Sequence, residues 1–388
     1  MSENQSGNLP ADNLFASATY AERISRTVEL LSARGVGAAV FGTGADLQYL
    51  IGSNVSSHER LTALVITATG STTLVLPAVE RGDLAACAIG DLDAEVKLWE
   101  DGANPHQIVA DLIGKVDTIA VGSSITADHL IPLQELTGAK TVLAANLLKE
   151  LFMRKDAAEI EQLREAGAAI DRVHARVPSM LRAGRTEREV AEEIDAAILE
   201  EGHVEVDFVI VGSAENGANP HHDFSDRVIE DGDVVVVDIG GALPRGYHSD
   251  CTRTYVVGKP SAKEASAWAA LRKAQEAAFA AVRPGVKASE IDAIARKSLT
   301  AAGYGEYFIH RTGHGIGLST HEEPFIMAGN ELVLEPGMAF SIEPGVYLPG
   351  EFGMRLEDIV IVTENGGESV NKGPHELIEV PGDTSRKA

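Results

Sequence analysis

Apolar residues recur at helical spacing over residues 19–33 and predict an amphipathic helix. Residues 36–42 then form an unbroken apolar run, the pattern of a buried strand. Two β-type runs, 63–67 and 73–77, flank Thr69-Gly70-Ser71 and predict a hairpin. Residues 104–113 read as a helix and 118–122 as a strand. This alternation predicts an α/β domain that closes near Leu151, dividing the chain into residues 1–152 and 153–388. No glycine-rich phosphate loop follows any of its strands, which argues against a nucleotide-binding domain.

Beyond Arg154-Lys155-Asp156 the period stays helical over residues 157–181 and stops at Gly184. Thr186 with Glu189 forms the capping-box pattern for a second helix running to Gly202. The pattern then recurs. A shift of 101 residues places Arg182, Gly184, Glu189, Gly202 and Gly212 on Arg283, Gly285, Glu290, Gly303 and Gly313. Common residues match by chance too, but these matches are ordered and preserve the helix punctuation. Each copy continues into a strand pair: 234–240 with 247–257, then 339–347 with 353–362. Duplicated helix–helix–hairpin units predict an α+β domain with a pseudo-twofold axis and two hairpins facing each other across its centre.

Composition narrows the function classes. Against 33 Lys and Arg stand 58 Asp and Glu, a formal charge of −25 in 388 residues. Such a chain repels phosphate backbones and anionic lipid, so neither nucleic acid nor a membrane is an expected partner. No apolar run is long enough to span a bilayer. Two cysteines, Cys87 and Cys251, make no ligand-spaced cluster and suit a reducing cytoplasm. Residues 1–13 lack a basic stretch followed by an apolar one, so no signal peptide is expected. The short polar tail from Pro381 is expected to be disordered.

The chemistry sits in the two hairpins. Asp238 ends an apolar strand of four valines, where a carboxylate is costly unless compensated. It could simply cap the turn, but Asp250 on the return strand is placed to meet it, on one face with Thr252 and Thr254. In the second hairpin, Glu343 and Glu357 are equidistant from Gly350 and can oppose each other. Four acids converging on a core repel unless cations lie between them. A salt bridge to Arg355 is the structural alternative for Glu357. Between the hairpins, residues 310–317 form a glycine-rich strand in which a ligand or backbone must come close. Asp238, Asp250, His314, Glu343 and Glu357 thus form a hard donor set suited to two divalent cations. His221 lies in a loop before the first hairpin. His222 and His248 read as solvated neighbours.

These motifs, Asp238-Ile239-Gly240, residues 249–254, 310–324, Ile342-Glu343-Pro344-Gly345 and 355–358, resemble the pita-bread metallopeptidases: methionine aminopeptidase, aminopeptidase P and prolidase. The first domain resembles the N-terminal α/β domain of aminopeptidase P, prolidase and creatinase, which methionine aminopeptidases lack. The overall pattern is most similar to bacterial Xaa-Pro dipeptidases. The resemblance implies that Asp238 chelates one ion, His314 and Glu343 hold a second, and Asp250 and Glu357 bridge both. A bridging hydroxide would be the nucleophile. Glu343 would shuttle a proton, His321 would stabilise the developing oxyanion, and His221 would contact the peptide near the leaving nitrogen. His310 would support the ligands from behind, and Arg355 would orient the acids. A carboxylate-rich site favours Mn²⁺, with Co²⁺, Zn²⁺ and Fe²⁺ also compatible. A small peptide substrate and a homodimer follow from the resemblance.

Two departures stand out. The spacing from Asp238 to Asp250 is one residue longer than usual in the family. Phe325 occupies the place after His-Glu-x-Pro where several prolidases carry an arginine that grips the substrate carboxylate, so strict dipeptide specificity is an open expectation. Aminopeptidase P activity or general dipeptidase activity is the nearest alternative. A metal-dependent lyase or a creatinase-like hydrolase, the latter lacking metal ligands, is a more distant one.

Overall fold

The computed structural model describes residues 14–57 and 59–382. The expectations for residues 1–13 and for the tail beyond 382 fall outside the described residues. The chain divides into two units, Met1–Phe152 and Met153–Ala388.

The first unit is a six-stranded mixed sheet with helices. In chain order its elements are α1 (Ser17–Ala33), β1 (Ala38–Phe41), α2 (Ala45–Ile51), β2 (Ala63–Thr67), β3 (Thr72–Pro77), β4 (Glu95–Trp99), α3 (Pro105–Ile113), β5 (Thr118–Val121), α4 (Ala127–Thr137), β6 (Lys140–Leu143) and α5 (Ala144–Met153), the last crossing the unit boundary. The strand order is β4-β3-β2-β1-β5-β6. β1 and β2 are buried throughout, as continuous apolar runs require on a sheet covered on both faces. Asn104 caps α3 by accepting from the amides of His106 and Gln107, with Pro105 at the first helical position. The β2–β3 hairpin closes through Gly70, whose φ of 100° excludes most L-residues.

The second unit is built twice. α6 (Ala157–Met180) and α7 (Glu187–Glu200) lead into the sheet of β7 (Glu205–Ser213), β8 (Val234–Ala242) and β9 (His248–Val257). α8 (Ala262–Ala281) and α9 (Ala288–Ala301) lead into β10 (Gly313–Gly315), β11 (Glu322–Ile326), β12 (Ala339–Ile342), β13 (Gly345–Leu348), β14 (Phe352–Arg355), β15 (Asp358–Thr363) and β16 (Gly366–Ser369). A final strand, β17 (Ile378–Val380), joins the first sheet, giving the orders β17-β9-β8-β7 and β11-β10-β12-β15-β16, with β13-β14 as a separate pair. Each helix pair covers its own sheet. Ile170, Val173, Val190 and Ile194 pack on Val235, Val237 and Tyr255, while Leu271, Ala274, Ile291 and Ala295 pack on Phe340, Val360 and Val362.

The repeat extends to individual hydrogen bonds. The amides of Gly184, Glu187 and Arg188 donate to the carbonyls of Ile229, Arg227 and Ser225. Those of Gly285, Ala288 and Ser289, each 101 residues later, donate to Leu334, Leu332 and Asn330. The capping box survives intact only in the first copy. Thr186 accepts from the Glu189 amide at 3.1 Å and the Glu189 carboxylate accepts from the Thr186 amide at 2.9 Å. In the second copy Lys287 has no side-chain acceptor, and the return bond, from the Lys287 amide to Glu290, lengthens to 3.4 Å. Among the described residues no helix is long and apolar enough to cross a membrane.

Candidate metal centre

The two hairpins position the acids differently. In the first, Asp238 faces Thr252 and Asp250 faces Gly240, so the aspartates are diagonal neighbours on one face rather than directly opposed. In the second, β12 pairs with β15 and β13 with β14 in a single register. The ladder breaks between them at Glu343-Pro344 and Leu356-Glu357. Pro344 carries no amide to donate, and the break frees both glutamates from regular pairing. The hairpins lock together at this point: Thr252 Oγ1 donates to Glu357 Oε2 at 2.6 Å, and Thr254 Oγ1 to the Arg355 carbonyl at 2.9 Å.

Ligand atoms of Asp250, His314 and Glu357 all lie within 4.8 Å of one another, and all three residues are buried. Glu343 adjoins them, its Oε1 3.3 Å from His314 Nε2, while Asp250 Oδ2 is 3.5 Å from the same nitrogen. Asp238 is not part of this tight group, and Arg355 Nη2 holds its Oδ2 at 2.5 Å. Arg355 therefore pairs with Asp238 and not with Glu357. It also donates to Thr252 Oγ1 at 3.1 Å and to Tyr347 Oη at 2.7 Å.

The donor set fits cations. His314 Nδ1 lies 3.1 Å from the Gly315 carbonyl, which assigns the ring proton to Nδ1. Burial, first, and then His321 lower the His314 pKa to about 3, so Nε2 carries a lone pair at neutral pH. That lone pair faces two carboxylates, an arrangement that calls for a cation, or in its absence a proton, between them. Asp238 Oδ1 and Glu357 Oε1 point the same way. Each is buried and accepts no hydrogen bond among the described residues, while its sister oxygen is held by Arg355 or Thr252. Burial, then the charges of Glu357, Asp238 and Glu343, push the Asp250 pKa far up. Burial and the charges of Glu343 and Asp238 do the same for Glu357. Burial raises Glu343 to about 7 against the opposing pull of Arg355.

The histidines surround this group. His321 packs edge-on to His314, with ring centroids 4.1 Å apart. His310 Nδ1 donates to the Arg311 carbonyl at 2.7 Å, leaving Nε2 to accept from Tyr347 Oη at 2.9 Å. A relay thus runs from Arg355 through Tyr347 to His310. His221 is exposed in the loop after η-turn residues 214–218, and Arg355 Nη1 reaches the neighbouring Pro220 carbonyl at 3.4 Å. Phe325 is half-buried, with the Arg311 guanidinium 4.6 Å above its ring. The glycines of residues 313–315 admit backbone rather than ligand: a Cβ at Gly313 would meet the Ser341 carbonyl oxygen at 1.8 Å, and one at Gly315 the Glu323 oxygen at 2.3 Å.

Two histidines depart from the sequence reading. His222 and His248 are not solvated neighbours but bind buried or half-buried acids, Glu187 at 2.9 Å and Asp207 at 2.5 Å. Glu187, a residue the sequence pattern passes over as helix N-terminus, is the hub of the His221 loop. Its carboxylate accepts from the amide and hydroxyl of Ser213, from Asn216, from His222, and from the amide and hydroxyl of Ser225. Burial alone would raise its pKa. The hydrogen bonds of Ser213, His222 and Ser225 outweigh that and hold it below the usual carboxylate range. Glu187→Gln turns one acceptor end into a donor facing donors. A stability loss of about 2–4 kcal/mol is expected, with hydrolysis impaired and metal content retained, measurable by denaturant unfolding and elemental analysis. Loss of metal together with activity would show that Glu187 supports the ligands instead of the loop.

Residues 161–364 match metallopeptidase family M24, more than half of the chain. The chain belongs to family M24. Residues 23–153 match the creatinase/prolidase N-terminal domain. A probable dipeptidase, PepE, of Mycobacterium tuberculosis is 53% identical over 95% of this chain and 98% of its own length. An Xaa-Pro dipeptidase of Lactobacillus helveticus is 35% identical over 86% and 92%. The crystal structure of dipeptidase PepE from Mycobacterium ulcerans superposes with a TM-score of 0.91 at 54% identity, covering 95% of this chain and 99% of that one. This M24 protein is a metallopeptidase with the pita-bread fold, and its family uses divalent metal.

Proposed function

We propose that the protein hydrolyses Xaa-Pro dipeptides with two divalent ions, held by Asp238, Asp250, His314, Glu343 and Glu357. The reading is supported by one observation: ligand atoms of Asp250, His314 and Glu357 lie within 4.8 Å of one another in a buried group, while Glu357 Oε1 and Asp238 Oδ1 are buried with no hydrogen-bond partner among the described residues. Asp250 and Glu357 would be the ligands shared by the two ions, the role the family resemblance implies for them. The ions would supply Lewis acidity and a water deprotonated near neutral pH; the hard donor set suits Mn²⁺.

The surrounding side chains have distinct work. His321, whose pKa is lowered by desolvation and by Arg311, would donate an N–H towards the carbonyl oxygen of the scissile bond. Glu343, 3.3 Å from His314 Nε2 and with a side chain 15% exposed, would take a proton and deliver it to the leaving prolyl nitrogen. That nitrogen is a tertiary amide with no N–H to recognise, so binding must come from the flanking groups, among them His221. The buried free thiols of Cys87 and Cys251 fit a reducing cytoplasm.

The names of the dipeptidase relatives favour dipeptides over longer substrates. With Mn²⁺-loaded protein, kcat/KM for an Xaa-Pro dipeptide should exceed that for the matching Xaa-Pro tripeptide by about tenfold or more, the scale of one additional polar contact. Preference for the tripeptide would instead assign an aminopeptidase P activity.

A further inference from the structure

His321 stands on a loop, residues 317–321, that leaves β10 and returns as β11. Its ring makes no hydrogen bond among the described residues and rests edge-on against His314. Its place is therefore set by the backbone on either side. On the far side, Glu322 pairs with the buried Lys155. On the near side, the Gly317 amide donates to the Ser319 carbonyl at 3.1 Å, and the Gly317 carbonyl accepts from the His248 amide at 3.0 Å. Thr320 Oγ1, on the residue before His321, lies 3.4 Å from Asp207 Oδ2 and 3.3 Å from His248 Nδ1.

The pair that receives this loop is built by the first half of the repeat. β7 bulges against β8: Val206 pairs with Gly241 and Phe208 with Gly240, which leaves Asp207 between them without a partner in the ladder. The ladder continues on both sides, so strand pairing does not need this side chain. A bulge re-aims the side chain it carries. Asp207 is aimed across β8, which at this level is Gly240, Gly241 and Ala242, to the start of β9. There its Oδ2 accepts from His248 Nδ1 at 2.5 Å, with both residues half-buried. With the imidazole proton committed to the carboxylate, the Thr320 hydroxyl donates to the same oxygen.

We propose that Asp207 and His248 are positioning residues for His321. Through Thr320 and Gly317 they fix residues 317–321, so the exposed imidazole already stands beside His314 when substrate arrives. Its hydrogen bond to the substrate then costs no ordering of the loop. Neither residue touches the substrate or a metal in this role. The assignment rests on the oxyanion role given to His321 above.

A double-mutant cycle with His321 tests it, in full-length metal-loaded protein and on whichever of an Xaa-Pro dipeptide and the matching tripeptide the wild type cleaves faster. His321→Ala should lower kcat about 100-fold, the scale of one lost oxyanion donor. Asp207→Ala should lower kcat about tenfold, as a displaced donor does, with KM changed by less than about twofold and metal content intact. In the His321→Ala background the same change should cost less than about twofold more, because no imidazole is left to misplace. Unchanged kcat in Asp207→Ala, loss of its metal, or an undiminished effect in both backgrounds would overturn the assignment. Should Asp207→Ala fail to fold, Thr320→Val removes only the hydroxyl of the loop. Its loss of kcat should likewise vanish in the His321→Ala background, and an undiminished loss, or none in either background, would overturn the assignment. Normal kcat in His321→Ala would overturn the role of His321 itself, and this proposal with it.

Discussion

Asp250→Asn should empty the metal centre and abolish hydrolysis while making the chelated protein more stable. Asp250 is 4% exposed and shares its site with Glu357, Asp238 and Glu343, whose charges join burial in raising its pKa. Without cations the carboxylates repel one another, and a neutral amide removes one charge without changing the shape. A gain of about 1–2 kcal/mol, or about 2–6 °C in Tm, is expected at pH 8 in the presence of chelator. With metal the order should reverse. Wild type gains RT ln(1 + [M]/Kd), about 2.7 kcal/mol at a hundredfold excess over Kd, and the variant gains little. Hydrolysis should fall by about three orders of magnitude or more, because a ligand shared by both ions cannot be replaced from the remaining set. Elemental analysis, thermal unfolding with and without metal, and a dipeptide assay together check this. Normal metal occupancy in the variant would refute the bridging role.

The opposite signs separate a functional cluster from a structural one. Glu187 is also a buried acid, but its acceptor capacity is filled by neighbouring donors and its pKa lies low. Asp250 and Glu357 are buried acids whose pKa values are driven up, and Glu357 keeps one oxygen unpartnered. The fold stabilises the first and is strained by the second, which is the condition of a site built for a positively charged occupant.

Much of this architecture is legible in the chain because its signals are local. The valine run before Asp238, the Thr186–Glu189 cap and the 101-residue repeat each depend on residues close in sequence or on a fixed period. Corresponding elements appear at β8, at α7 and in the paired hydrogen bonds of α7 and α9. What depends on register or on long-range pairing is not legible. The aspartates of the first hairpin are diagonal neighbours, which no spacing argument resolves without the ladder. Arg355 binds Asp238, 117 residues away, although Glu357 is two residues away, because neighbours two apart on a strand extend side by side and do not converge. Glu187 gave no motif at all: a helix N-terminal glutamate is ordinary, and its role comes entirely from the loop folded over it.

Relative to the metal-loaded protein, the chelated wild-type protein should lose stability as pH rises from about 6.5 to 8, by about 1 kcal/mol over the interval. The sign follows from which state binds more protons. Burial, opposed mainly by Arg355, holds the Glu343 pKa at about 7, and those of Asp250 and Glu357 lie well above the ordinary carboxylate range. In this window the unfolded chain has already released these protons while the folded apoprotein retains part of them, so each step up in pH favours unfolding. Below 6.5 a second set of groups opposes the trend. Burial lowers His174 to about 3 and His310 to about 4, so these imidazoles stay neutral in the folded state while the unfolded chain takes up protons, and their contribution is lost as pH falls. At pH 6.5 an unfolded imidazole is still about half protonated, so the histidine contribution extends into this window, but it is the same with and without metal and cancels in the difference between the two curves. Denaturant unfolding at half-unit intervals from pH 6.5 to 8, with chelator and with Mn²⁺, reads the slope directly. Asp250→Asn should flatten the chelated curve because one of the interacting carboxylates is gone. A difference between the chelated and metal-loaded curves that stays constant or shrinks with rising pH would mean that the cluster is already compensated without metal, and the case for two cations between the hairpins would fail.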